Sequence, residues 1–191
     1  MRIVAGKFGG RRLSAEVAAG TRPTSDRVRE GLGSALDARG AFEGAHVLDL
    51  FSGTGALALE AVSRGAALAV AVDNDKRALA CMRENVAALG AGEQVQIVAL
   101  DLLKSEASVA ARLREKNPSP YGLVFADPPY AHAARMPGLI AALREAGALH
   151  EQALVVLEHA SDFALENQPH FETLGRYRYG DTSVTLLARV S

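Results

Sequence analysis

The chain has 191 residues, of which 49% are apolar and 23% charged, and its net charge is −1, as in a soluble globular protein of one domain. No apolar run approaches the roughly 20 residues of a transmembrane helix, and the N-terminus lacks the apolar segment of a secretory signal. The single cysteine, Cys81, excludes an intrachain disulfide, so we expect a cytoplasmic protein. No feature of the sequence indicates an oligomer, and a monomer is favoured.

Charge is distributed unevenly along the chain. Residues 1–30 have a net charge of +4, whereas residues 31–191 have a net charge of −5. A basic arm on an acidic body is typical of proteins in which one region contacts phosphate. A solvated, charge-mixed N-terminus would have the same composition, so composition alone leaves both interpretations open.

Residues 1–20 are predicted to form a β-ribbon extension. Two short strand patterns, at 2–5 and 12–15, lie on either side of a glycine-rich turn at 6–10. A two-stranded ribbon is marginal alone, so we expect the rest of the protein, or a partner, to hold it in place.

A helix is predicted from Asp26 to Arg39, with Thr24 or Ser25 as its N-cap residue. Arginines cluster near its start, where a positive charge opposes the helix dipole. These arginines are therefore not placed for helix stability, which favours contact with an anion or with RNA.

From residue 46 onward, strand and helix patterns alternate. This alternation predicts an α/β fold with a parallel, doubly wound sheet and right-handed crossovers. Segments 172–179 and 183–190 are joined only through Gly180 and Asp181, so they should pair as an antiparallel hairpin and complete a seven-stranded sheet. The predicted strands are 46–51, 68–73, 94–99, 121–126 and 153–158, and the predicted helices are 56–64, 75–89, 103–115 and 133–146.

A glycine loop follows the first of these strands. A strand that ends in such a turn and leads into a helix presents backbone N–H groups and a positive helix end, as in nucleotide-type sites, and Gly53 and Gly55 allow a ligand to approach the main chain. The loop fits both the G-x-G-x-x-G/A fingerprint of dinucleotide enzymes and the Asp-x-Phe-x-Gly-x-Gly loop of S-adenosylmethionine methyltransferases. Asp49 favours a methyltransferase, because a carboxylate here suits a cofactor with a positive amino acid end and would be poorly placed beside a pyrophosphate.

Carboxylates also end the next three predicted strands, at the sheet edge where open α/β sheets bind ligands. Asp73 lies 20 residues after Gly53, a spacing that suits binding of both ribose hydroxyls, and Asp101 can reach an adenine amine. Asp75 is interpreted as a helix cap, and the scattered histidines His132, His159 and His170 indicate no metal site. The candidate cofactor-binding residues are Asp49, Leu50, Phe51, Ser52, Gly53, Thr54, Gly55, Asp73, Asn74, Asp101 and Leu102.

The segment Asp127-Pro128-Pro129-Tyr130 is the most specific motif, and its four residues are the candidate catalytic residues. Two consecutive prolines remove two backbone donors and stiffen the loop. Asp127 and the carbonyl of Pro128 can each accept one hydrogen of an exocyclic amine, while Tyr130 can stack on the ring, which is worth roughly 1–3 kcal/mol. No cysteine accompanies this loop, which argues against methylation of carbon through a covalent adduct.

Together with the Asp49–Gly55 loop, this motif resembles the amino-methyltransferases that act on nucleobases. The resemblance extends to the RsmD family, bacterial enzymes that methylate N2 of a guanine in 16S ribosomal RNA with S-adenosylmethionine. Further segments that carry it are 22–30, 50–61, 156–158 and 179–182.

The resemblance implies a seven-stranded Rossmann-like methyltransferase fold, with a methyltransferase domain at 21–191 after the extension at 1–20. A sister enzyme that acts on adenine N6 in DNA or RNA would have the same loop, and a dehydrogenase that binds NAD is the other alternative. The N-terminal segment is implied to hold RNA, although Arg22 could instead face the cofactor carboxylate. The candidate RNA-binding residues are Lys7, Arg11, Arg12, Arg22, Arg27 and Arg29.

Overall fold

The computed structural model describes residues 1–15, 26–163 and 170–190. The predicted cap at Thr24 or Ser25 and the candidate Arg22 lie outside the described residues, and Arg27 lies in a helix whose first side chains are not described. No helix in the described ranges has the length and apolarity needed to cross a bilayer.

Helices and strands alternate through most of the chain, as predicted. Two short 3-10 helices, Gly6–Phe8 and Tyr130–Arg135, lie outside this pattern. The helices are α1 (Asp26–Asp37), α2 (Ala56–Ser63), α3 (Lys76–Leu89), α4 (Glu106–Lys116) and α5 (Met136–Glu145); the strands are β1 (His46–Leu50), β2 (Leu68–Asp73), β3 (Val95–Ala99), β4 (Tyr121–Ala126), β5 (Leu149–Ala160), β6 (Phe171–Tyr179) and β7 (Thr182–Arg189).

The seven strands form one sheet in the order β3-β2-β1-β4-β5-β7-β6. Strands β1 to β5 are parallel, and the hairpin of β6 and β7 is antiparallel, which confirms the predicted sheet. The strand order reverses between β1 and β4, and ligands of open α/β sheets bind in the crevice at such a point. The fold therefore places the glycine loop after β1 and the Asp127 loop after β4 side by side.

Each face of the sheet has its own apolar core. Successive residues of β1, such as Val47 and Leu48, contribute to opposite cores, because successive side chains along a strand point to opposite faces of the sheet. Helices α1, α2 and α3 cover one face, whereas α4 and α5 cover the other. The predicted helix at 133–146 begins instead at Met136, because Pro137 is tolerated only in the first turn and the preceding residues form the 3-10 helix.

The N-terminal ribbon was predicted as two strands, and this is wrong in detail. Within its described residues, 1–15, it contains only one antiparallel bridge, between Arg2 and Arg12, around the 3-10 helix. Its backbone is held by helix α2 instead: the N–H groups of Val4 and Ala5 donate to the Glu60 carboxylate at 2.7 and 3.1 Å. The expectation that the body of the protein holds this segment is confirmed.

Candidate active site

The glycine loop joins β1 to α2 in a tight left-handed path. Phe51, Gly53 and Gly55 have φ values of 58°, 55° and 79°. A Cβ atom on Gly55 would lie 2.8 Å from Cγ of Met82, whereas one on Gly53 would meet no atom within 4 Å. Gly55 is therefore required by packing inside the protein, and Gly53 borders open space that a ligand can enter.

Asp49 braces this loop from within the protein. Its side chain is 1% exposed, and Oδ2 accepts hydrogen bonds from the Ser52 hydroxyl at 2.5 Å and the Ala58 N–H at 3.0 Å. Burial raises the pKa of Asp49 to about 7, the two hydrogen bonds oppose the shift, and the nearby Asp73 adds to it. The structure gives Asp49 a role in holding the loop at the helix N-terminus; its expected contact with a cofactor stays a prediction.

Asp73 ties the tip of β2 to the same loop. Its Oδ2 accepts from the Gly53 N–H at 2.9 Å, and Oδ1 accepts from the N–H groups of Asn74 and Asp75 at 2.8 and 2.9 Å. Asp75 caps α3 through the N–H groups of Arg77 and Ala78, which confirms that prediction. A carboxylate has roughly four acceptor positions, so about one remains on Asp73 for a ligand.

The structure also shows how three further cofactor candidates are placed within the protein, and their contact with a cofactor stays a prediction. Leu50 and Leu102 are 0% and 3% exposed, so their side chains belong to the apolar core, and only their backbone could meet a ligand. Oδ1 of Asp101 accepts from the Leu103 N–H at 3.0 Å, which shapes the loop after β3.

Asp127 follows β4, beside the glycine loop, and lines a small pocket. Its N–H points to the carbonyl of Leu50 at 3.4 Å, which brings the end of β4 against the end of β1. The pocket is lined by Asp127, Glu158, Leu32, Leu57, Phe125, Ala126 and Val156. Burial, then the charges of Glu158 and Asp49, raise the pKa of Asp127 to about 8.

Tyr130 presents an aromatic ring at the rim of the site. Its side chain is 52% exposed, and its hydroxyl lies 2.6 Å from Oγ1 of Thr182, at the start of β7. The carbonyl of Pro129 accepts from the His132 N–H at 2.7 Å, so this carbonyl is used within the turn.

Sequence reasoning gave no role to Glu158 or Thr182, although both lie in segments that carry the family resemblance. Glu158 could have been found by the argument that found the other acids, because it follows the apolar run of β5 at the same sheet edge. Thr182 had no local signal, since its contact depends on how the hairpin folds back beside the sheet.

The basic N-terminal candidates divide into exposed and buried residues. Arg12 is exposed, the exposed Arg11 donates to the Ala88 carbonyl at 2.6 Å, and Lys7 donates to Oε1 of Gln94. Arg29 is 3% exposed and donates to the Arg2 carbonyl at 2.9 Å. The expected contact of Arg29 with RNA does not fit this buried position, in which its guanidinium secures the N-terminal segment.

The N-terminal segment reaches the glycine loop through Asn85. The side-chain amide of Asn85 donates to the carbonyls of Ser14 and Thr54 at 3.1 and 2.9 Å, and Oδ1 accepts from the Ser14 N–H at 2.7 Å. Asn85 is 2% exposed, so these bonds are shielded from water. The basic arm therefore adjoins the candidate cofactor site.

Comparisons with known proteins agree with this geometry. A family model described as "Conserved hypothetical protein 95" matches residues 1–188. The "Ribosomal RNA small subunit methyltransferase D" of Escherichia coli (strain K12) is 34% identical over 169 residues, covering 88% of this chain and 79% of that protein. The chain belongs to the ribosomal RNA small subunit methyltransferase D family.

Two further proteins are similar to this chain over nearly the full length. The "Putative rRNA methyltransferase YlbH" of Bacillus subtilis (strain 168) is 30% identical over 192 residues and 97% of each chain is covered. A solved structure described as "Putative methyltransferase yhhF from Escherichia coli" has 30% identity and a TM-score of 0.82, and the match covers 100% of this chain and 98% of that one. This chain therefore shares its overall fold with that solved structure.

Proposed function

We propose that this protein is an S-adenosylmethionine-dependent methyltransferase that methylates the exocyclic N2 amine of a guanine in 16S ribosomal RNA. The observation that carries the proposal is the contact between the glycine loop and the Asp127–Tyr130 loop at the carboxyl ends of neighbouring strands. One loop suits a nucleoside cofactor and the other suits a flat base with an amine. The name of the similar Escherichia coli protein, which refers to small-subunit ribosomal RNA, supports this substrate class.

The donor and acceptor groups around the glycine loop fit S-adenosylmethionine. The open space at Gly53 admits a ligand close to the backbone, and Asp73 has about one acceptor position left for a ribose hydroxyl. We assign Asp101 to the adenine amine and the N-terminal end of α2 to the amino acid end, with Asp49 fixing the loop there. When bound, this cofactor supplies an activated sulfonium methyl group.

Asp127 and the Pro128 carbonyl are proposed to activate the base. The lone pair of the guanine N2 is delocalised into the ring, so this nitrogen is a poor nucleophile. Two acceptors, each taking one N–H, draw the nitrogen toward tetrahedral geometry and aim its lone pair at the methyl group. The nitrogen becomes acidic once methylated, so the reaction needs alignment and electrostatics rather than a strong base.

The target base must leave its stack to reach the pocket. We propose that the exposed ring of Tyr130 stacks on the base at the rim of the site. We propose that residues 1–20 act as an RNA-holding extension of a methyltransferase domain at 21–191, with Lys7, Arg11 and Arg12 on the phosphate backbone. Arg22 and Arg27 remain part of this proposal on sequence grounds alone.

The proposal is tested by identifying the methylated nucleoside. Small ribosomal subunits from cells that lack this protein are incubated with it and isotopically labelled S-adenosylmethionine, and the RNA is digested to nucleosides. The expected product is labelled N2-methylguanosine from 16S RNA. Labelled N6-methyladenosine would replace the guanine assignment, and stabilisation by NAD but not by S-adenosylmethionine in a thermal-shift titration would overturn the activity.

A further inference from the structure

Strand β6 is an edge strand of the sheet and carries two exposed arginines, Arg176 and Arg178, near its end. Residues 173–180 include no acidic residue. Neither arginine forms an ion pair within the described part of the chain, although Asp181 lies in the turn that follows. The methyl transfer proposed above does not use these two positive charges.

The register of the C-terminal hairpin places the end of β6 at the catalytic edge of the sheet. Tyr179 of β6 pairs with Thr182 of β7, which in turn pairs with Ala160 at the carboxyl end of β5. The hydroxyl of Thr182 also contacts that of Tyr130 at 2.6 Å. The end of β6 is therefore linked to the rim of the site through Thr182.

Arg178 is held in place at this edge by the hairpin turn. Its Nε donates to the carbonyl of Gly180 at 3.1 Å, and the same carbonyl accepts from the Ser161 hydroxyl at 3.1 Å. Neither terminal nitrogen of the guanidinium has a hydrogen-bond partner among the described residues. These nitrogens are donors that arginine offers to a phosphate, and a guanidinium that is already held loses less conformational freedom when it binds.

The basic residues of the N-terminal segment lie toward the opposite edge of the sheet. Lys7 and Arg11 contact Gln94 and Ala88, which precede β3, the other edge strand. The Asp127 loop follows β4, between these two edges. An RNA strand that enters the pocket would therefore meet positive charge from the N-terminal segment on one side and from β6 on the other.

We propose that Arg176 and Arg178 form a second RNA-binding surface that contacts backbone phosphates on the β6 side of the target guanine. Phosphate is the chemical match for two exposed guanidinium groups without acidic partners, and contacts on both sides of the pocket hold the backbone while the base leaves its stack. The inference rests on the proposed function, because it assigns a further contact of the same RNA substrate. Charged side chains on an edge strand can also prevent pairing with another sheet, a role that involves no RNA.

The test measures how tightly the full-length protein binds small ribosomal subunits from cells that lack it, over a range of salt concentrations. The double variant Arg176→Gln/Arg178→Gln should bind about tenfold or more weakly near physiological salt, and the slope of log affinity against log salt should fall by about 1 for each arginine. The double variant Arg176→Lys/Arg178→Lys keeps both charges and should keep most of the slope.

Arg112→Gln is the matched control, since it removes an arginine of α4 whose side chain is 59% exposed, and it should change neither the affinity nor the slope. Affinity for S-adenosylmethionine reports that each variant is folded, because the glycine loop follows β1, away from β6 in the sheet. If the double glutamine variant is not folded, Arg178→Gln alone provides the same test. Sedimentation velocity reports whether any variant associates with itself.

A folded double glutamine variant with wild-type affinity and salt dependence overturns the inference. Unchanged affinity for the subunits together with new self-association assigns the arginines to protection of the strand edge and overturns it too. An equal loss in Arg112→Gln overturns it as well, because positive charge anywhere on the surface would then suffice. If the wild-type protein forms no N2-methylguanosine on these subunits, the proposed function itself is refuted, and that result is read from the product rather than from binding.

Discussion

The hydroxyl oxygens of Tyr130 and Thr182 lie 2.6 Å apart, and this bond joins the Asp127 loop to the C-terminal hairpin. The ring that we expect to stack on the target base is thereby fixed by a residue 52 positions away in the chain. A ring that is held before the base arrives loses less conformational entropy on binding.

Removing this bond should weaken RNA binding without affecting the cofactor. We expect Thr182→Val and Tyr130→Phe each to raise the KM for the RNA substrate roughly 2- to 10-fold, the worth of one net hydrogen bond. The double variant should lose no more than either single one, because both remove the same contact. Steady-state kinetics measure this, with Thr173→Val on the exposed surface of β6 as the control. Additive losses in the double variant would argue against a shared contact.

Glu60 should contribute strongly to stability. Its carboxylate accepts from the Val4 and Ala5 N–H groups and from Nε of Arg64 at 2.8 Å, and it is 4% exposed. Glu60→Gln removes one of the two carboxylates that pair with the buried Arg64 guanidinium, the other being Asp37, so we expect the free energy of unfolding to fall by about 1.5–3 kcal/mol. Urea denaturation measures the change. Glu93→Gln, at an exposed residue, is the control, and its free energy of unfolding should lie within about 0.5 kcal/mol of the wild-type value. A similarly small change in Glu60→Gln would show that α2 does not hold the N-terminal segment.

Alanine substitutions of the two loop glycines should have different effects, one on stability and the other on cofactor binding. In Gly55→Ala, the new methyl group overlaps Met82 and the alanine must adopt a φ of +79°. In Gly53→Ala, the only cost is that of an alanine in the left-handed backbone region, about 1–2 kcal/mol. The melting temperature should therefore fall more in Gly55→Ala than in Gly53→Ala. Gly53→Ala instead puts a methyl group into the open space above the loop, so S-adenosylmethionine should bind roughly tenfold more weakly. Thermal unfolding and calorimetric titration separate the two effects, with Gly92→Ala as control because a Cβ there meets nothing. Unchanged cofactor affinity in Gly53→Ala would place the ligand elsewhere.

Activity should rise with pH. Burial, Glu158 and Asp49 raise the pKa of Asp127 to about 8, so in the free protein this carboxyl is mostly protonated at pH 7 and becomes the better acceptor as pH increases. The kcat/KM should therefore increase between pH 6.5 and 9 with a midpoint near 8. Glu158→Gln removes a neighbouring negative charge and should move the midpoint to lower pH. A profile that is flat over this range would show that ionisation of Asp127 does not limit the reaction.

Much of the fold could be predicted because its signals are local. The apolar runs of the parallel strands, the glycine turn after Leu50 and the two-residue link at Gly180 each identify an element without reference to the rest of the chain. The N-terminal ribbon could not be predicted in detail, because Glu60, which captures its backbone, lies more than 50 residues away.

The candidate site was predictable in position but less so in orientation. Strand-tip acids and the double proline mark the sheet edge at which the structure brings the glycine loop and the Asp127 loop together. They do not reveal that Asp49 points inward to Ser52 and Ala58, or that Arg29 is buried against the Arg2 carbonyl. Both outcomes depend on tertiary packing, which decides whether a charged side chain near a turn meets solvent or the protein interior.

The central claim is that Asp127 aligns the amine for methyl transfer without taking part in cofactor binding. Its most direct test is the single-turnover rate of methyl transfer in Asp127→Ala, measured together with the affinity for S-adenosylmethionine, and with Asp162→Ala as an exposed control. We predict a rate at least about 100-fold lower, because one of the two aligning acceptors is gone, and an affinity within about threefold of wild type. A folded Asp127→Ala protein that binds the cofactor and still transfers methyl at the wild-type rate would contradict the account.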